Sequence, residues 1–66
     1  MLLAVNGKQR EVEGSLSILE FLQANEINHL LVAVEHNGEI IKRERLGEVP
    51  LNEGDTLEII HVVGGG

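Results

Sequence analysis

Two serines, three histidines and a closing run of glycines are the side chains and termini here whose types and spacing invite a chemical reading. The chain has no cysteine, so Ser15 and Ser17 are the first nucleophiles to weigh. No histidine is placed to activate either, and both stand where a helix begins, so capping is the better role. His29, His36 and His61 are scattered, without the short ligand spacing of a zinc motif, and read as surface or rim residues. No catalytic residue and no metal site is expected. The segment HVVGGG, His61 to Gly66, is not a phosphate-binding loop, which would need a helix after the glycines.

A glycine run can instead carry chemistry at its end. Three extended residues reach roughly 10 Å at about 3.3–3.6 Å each, and without Cβ atoms they pass through a channel too narrow for other residues. An α-carboxyl titrates near about 3.3–3.7; ionised at neutral pH, it can attack the α-phosphate of ATP to give an acyl-adenylate. A merely frayed end is the competing reading. Holding three glycines costs on the order of 3–6 kcal/mol of conformational entropy, which the tail's few contacts hardly offset, so the folded body must supply a docking patch. If Leu57, Ile59 and His61 face inward along the last strand, Glu58, Ile60 and Val62 line the opposite face. Ile60 and Val62 then form the centre of the patch.

The elements that must position this strand follow from local signals. Asn6-Gly7 between LLAV and KQREV predicts a hairpin with strands at about 2–6 and 9–13, and Asn37-Gly38 between LVAVEH and EII predicts a second. Between them, Ile18, Phe21, Leu22 and Asn25 recur at helical spacing. Ser17 and Glu20 make a capping box at the start of that helix, with Leu16 and Phe21 placed as a hydrophobic staple. Arg43 to Leu46 predicts one short helical turn, Pro50 excludes a central strand, and Asn52 to Asp55 reads as a turn. TLEIIHVV is the last strand. The order ββαβ(β)β in 66 residues implies an α+β roll, with one main helix packed on one face of a mixed sheet.

Composition bounds the rest. Hydrophobic residues make up 42% of the chain, with Phe21 the only aromatic, enough for a small aliphatic core in one domain. The formal charge of −6 repels a phosphate backbone and argues against nucleic acid binding, while favouring encounter with a basic patch on a protein. The basic run Lys42 to Arg45 reads as a solvated turn. No apolar run approaches the roughly 20 residues that span a membrane, and no leader pattern opens the chain, so a cytoplasmic protein is expected.

VNGK near the start, NGEIIKRE in the middle and EGDTLEIIHVVGGG at the end resemble the ThiS family, sulfur carriers of bacterial thiamine synthesis, over essentially the whole chain. The spacing of the final strand and tail is also similar to ubiquitin. The resemblance implies a β-grasp domain over residues 1–63 with a flexible glycine tail at 64–66. It implies a carrier, not an enzyme, that binds no cofactor. Gly66 would be adenylated by a ThiF-type enzyme using ATP and Mg²⁺, converted to a thiocarboxylate with the help of a sulfur-donor system, and discharged to a ThiG-type thiazole synthase for thiazole formation. Gly65 completes the recognised glycine pair and Gly64 takes the variable place before it. Lys42 stands where many relatives have proline. The chain alone is expected to be a monomer. The alternatives that use the same activated end are a molybdopterin-synthase-type carrier, usually longer, and a ubiquitin-like protein modifier.

Overall fold

Both Asn-Gly pairs form hairpin turns. In the computed structural model, which describes residues 1–62, Asn6 and Gly7 have φ of 51° and 82°, and Asn37 and Gly38 have φ of 51° and 86°. Two successive left-handed residues give the turn whose twist matches the flanking strands. The first turn joins β1 (Leu2–Val5) to β2 (Lys8–Glu11), and the second joins β3 (Val32–His36) to β4 (Glu39–Ile41), each pair antiparallel. β1 ends one residue earlier than expected because Asn6 enters the turn, and β2 runs over 8–11 in place of 9–13 because its register on β1 closes at Leu2 opposite Glu11.

Helix α1 (Ile18–Ala24) begins as the sequence predicts. The Glu20 N–H donates to Ser17 Oγ at 3.1 Å, and the Ser17 N–H donates to Glu20 Oε1 at 2.8 Å, which satisfies two amides that the first turn would leave unpaired. The helix stops at Asn25. Glu26 turns left-handed at φ 58°, its N–H donates to the Gln23 carbonyl, and the Ile27 N–H donates to the Leu22 carbonyl, a Schellman closure built without glycine.

The final strand, β5 (Thr56–His61), enters between the hairpins and sets the order β2-β1-β5-β3-β4. It runs parallel to β1 and antiparallel to β3. The sheet is therefore mixed, and α1 covers one face. Leu3, Val5, Val32, Val34 and Leu57 from the sheet meet Ile18, Phe21 and Leu22 from the helix, with Leu46 and Leu51 closing the core from the connecting segment. Short helical turns lie at His29–Leu31 and Arg43–Arg45. The second was expected; the first, capped by the Asn28 side chain, was not. Pro50 sits at a single bridge to Ser17, outside the strands, as a residue without an N–H must. No helix among the described residues is long and apolar enough to cross a membrane.

Candidate docking face and tail strand

β5 carries the candidate site because it leads into the terminal glycines. Gly64, Gly65 and Gly66 lie outside the described residues. Along the strand and the one residue after it, alternation puts Leu57 fully inside and Ile59 half-buried against the core, while Ile60 and Val62 are 54% and 56% exposed. Those four residues face as the sequence analysis expected. Glu58 shares the outer face with Ile60 and is half-buried. His61 differs: it lies on the helix side by alternation yet is exposed. It helps line a recess of about 350 Å³ together with Phe21, Ile27 and Ile59.

Two features of the outer face were not anticipated. Ile40, on β4, is 72% exposed; it pairs with Glu35 in β3, which pairs in turn with Glu58 in β5. The outer face therefore presents Ile40 and Ile60 around a cross-strand pair of carboxylates. Like charges directly opposite each other disfavour the sheet, and neither glutamate joins an ion pair among the described residues. The alternation after Asn37-Gly38 could have placed Ile40 outward. Its neighbours could not be found that way, because they depend on which strand inserts beside β3.

β5 is held at its start and at its middle by the hairpin asparagines. At its start, the Thr56 N–H donates to Asn37 Oδ1 at 2.9 Å and Asn37 Nδ2 donates to Asp55 Oδ1 at 3.1 Å. Farther along, the Ile59 N–H donates to Asn6 Oδ1 at 2.7 Å, and Asn6 Nδ2 donates to the Ile59 carbonyl at 3.3 Å. On the β3 side the pairing runs to His61, and the Val62 N–H continues it to the Leu31 carbonyl at 3.1 Å.

The histidines do not converge. Among the described residues, no group of three or more histidine or carboxylate side chains is placed to hold a metal. His36 corrects the reading of surface histidines: its side chain is only 14% exposed, and its Nε2 lies 2.7 Å from Asp55 Oδ2. The two residues are 19 positions apart, so only the fold brings them together. Ser17 caps α1, the role its position predicted. The run Lys42 to Arg45 is exposed; Arg43 Nη2 donates to the Leu30 carbonyl at 3.3 Å.

Residues 3–66 match the model of the ThiS family. The chain belongs to the ThiS family. The sulfur carrier protein ThiS of Bacillus subtilis (strain 168) is 39% identical over 66 residues, covering 98% of this chain and all of the relative. The crystal structure of a ThiS thiamine biosynthesis protein from Geobacter metallireducens superposes with a TM-score of 0.87 at 39% identity, with both chains fully covered. This places the chain in the ubiquitin-like β-grasp fold. A thiazole synthase of Paramagnetospirillum magneticum (strain ATCC 700264 / AMB-1) is 36% identical over the whole of this chain, which spans only 20% of that protein's length.

Proposed function

We propose that this sulfur carrier of thiamine biosynthesis is loaded at the carboxylate of Gly66 and works without a catalytic residue of its own. The carboxylate attacks the α-phosphate of ATP in a ThiF-type enzyme that supplies Mg²⁺, pyrophosphate leaves, and a sulfur-donor system converts the acyl-adenylate to a thiocarboxylate as AMP departs. A ThiG-type thiazole synthase then takes the sulfur. Residues 1–63 serve as the grip, Gly64 and Gly65 as the part threaded into the partner's channel, and Glu58, Ile60 and Val62 as the docking centre.

The observation that carries this reading is the exposure of Ile60, on β5, and of Val62, just beyond its end, next to the glycines, in a chain of the ThiS family. Body and tail can then engage one partner together, so the patch offsets the ordering cost of the glycines. The thiazole synthase partner is supported by relatives of that name that contain a segment matching this whole chain within one polypeptide. A monomer acting in the cytoplasm completes the proposal.

The test is incubation with a ThiF-type enzyme, ATP, Mg²⁺ and a sulfur donor, followed by intact mass. Exchange of one terminal oxygen for sulfur is expected. An unchanged mass would overturn the reading, and conjugates stable on a denaturing gel would identify a protein modifier instead.

A further inference from the structure

Asn6 acts twice in the fold. Its backbone supplies the first left-handed residue of the β1–β2 turn, at φ 51°. Its carboxamide meanwhile mimics a strand residue, accepting from the Ile59 N–H at 2.7 Å and donating to the Ile59 carbonyl at 3.3 Å. The register of β1 on β5 ends at Val5 opposite Leu57, and the Asn6 N–H donates to the Leu57 carbonyl at 2.9 Å. The carboxamide thus carries the β1-side pairing two residues farther, after β1 itself has turned away. Among the described residues, no other hydrogen bond holds β5 from that side beyond Leu57.

We infer that Asn6 is a positioning residue for activation of the C-terminus: by fixing the backbone at Ile59 it sets the direction in which β5 presents the glycines to the activating enzyme. The inference rests on the sulfur-carrier reading above. From Ile59 to Val62 the chain is then held only from the β3 side, by the pairing to His61 and the Val62 N–H to the Leu31 carbonyl, so without the carboxamide these last described residues before the glycines can tilt about that one edge. A misplacement of about 1 Å is enough to slow a reaction between positioned groups about a hundredfold. Pairing with β3 alone leaves the other edge of β5 open from Ile59 onward.

Stabilisation without positioning is the simpler role, and Asn37 provides the matched control. It occupies the same place in the other hairpin, also at φ 51°, and its carboxamide also binds the β5 backbone, at Thr56. That contact lies at the end of the strand remote from the glycines. Glycine at either position keeps the left-handed turn and deletes only the carboxamide.

The experiment compares Asn6→Gly, Asn37→Gly and the unmodified chain as substrates of a ThiF-type enzyme, followed by pyrophosphate release well below the melting temperature of each variant. Amide hydrogen exchange is measured in parallel. Both variants are expected to melt lower. Asn6→Gly is expected to lose about tenfold in kcat/KM and to exchange the Ile59 amide faster, while Asn37→Gly stays within about twofold of the unmodified chain. Asn6→Asp keeps the acceptor for the Ile59 N–H but sets a carboxylate oxygen against the Ile59 carbonyl where the donor stood; it shows a loss in the same direction and serves if Asn6→Gly does not fold. Equal losses in the Asn6 and Asn37 variants, or no loss for Asn6→Gly, would overturn the positioning role. Failure of the unmodified chain to be adenylated would instead overturn the carrier reading on which it rests.

Discussion

His36 Nε2 lies 2.7 Å from Asp55 Oδ2, and this contact ties the second hairpin to the turn that launches β5. The same oxygen accepts the Asn52 N–H at 2.9 Å, and Oδ1 accepts Asn37 Nδ2 at 3.1 Å. Asp55 is 9% exposed and is the charged residue buried among the described ones. Burial pushes its carboxyl upward, but the hydrogen bonds from His36, the Asn52 N–H and Asn37 outweigh burial, and the net direction is below the ordinary value of 3.8.

A depressed carboxyl stabilises the fold above its unfolded pKa and ceases to do so as pH falls through the folded one. The contribution of Asp55 is therefore fully present at neutral pH and declines as the pH drops below about 4. Acid titration followed by circular dichroism should show Asp55→Asn with a shallower loss of stability in that range. At neutral pH the same substitution is expected to cost about 1–3 kcal/mol, because it replaces a charged acceptor by an amide that satisfies fewer of the three donors. A parallel acid profile in the variant and the unmodified chain would remove Asp55 from the account.

Ile60 and Leu57 sit three residues apart on one strand and face opposite ways, at 54% and 0% exposure. Ile60→Glu is expected to leave the melt within about 0.5 kcal/mol of the unmodified chain while weakening binding to the ThiF-type enzyme at least tenfold. Leu57→Ala is expected to cost about 2–5 kcal/mol. Calorimetric binding and thermal melts on the two variants separate docking from folding.

The parts of this fold legible in the sequence are those fixed by local physics. Asn-Gly forces two left-handed residues, Ser17 and Glu20 cap each other three residues apart, and alternation in β5 separates Ile60 from Leu57. What was not legible depends on a long-range event, the insertion of β5 between the hairpins. The Asn6 and Asn37 side chains find β5, His36 finds Asp55, and Glu58 finds Glu35 only once that strand order exists. His61 escaped burial for a related reason: alternation assigns a face, while burial depends on how far the short helix α1 extends over it.

Glu35 and Glu58 stand directly opposite each other on the outer face, where a like-charge pair weakens the sheet and invites a cation from a partner. Glu58→Lys converts the pair into an attractive one. It is expected to raise stability by a few tenths of a kcal/mol, up to about 1, and to weaken binding to the activating enzyme in a manner that diminishes with added salt. Urea denaturation and binding at two ionic strengths check both halves; tighter binding together with higher stability would show that the carboxylates do not face a basic partner.

Removing Gly65 and Gly66 is expected to abolish adenylation and sulfur transfer. The melting temperature should stay nearly unchanged, because the core and the backbone pairing described here end by Val62. Intact mass after incubation with the activating enzyme and a thermal melt of the shortened chain test this. Retained sulfur loading would place the reactive group elsewhere than the terminal carboxylate.

Glu26 closes α1 in the left-handed conformation at φ 58°, a position where helices most often place glycine. A residue with a Cβ pays roughly 1–2 kcal/mol to be there, whereas glycine pays mainly through its freer unfolded chain, about 0.5–1 kcal/mol. Glu26→Gly is accordingly expected to stabilise the protein by up to about 1 kcal/mol, with the Glu26 and Ile27 amide bonds to Gln23 and Leu22 retained. Glu26→Val, with a branched Cβ in the same conformation, is expected to destabilise by at least as much. Urea denaturation of the three proteins decides the matter, and a glycine variant less stable than the unmodified chain would mean that the Glu26 side chain makes a favourable contribution that outweighs its backbone strain.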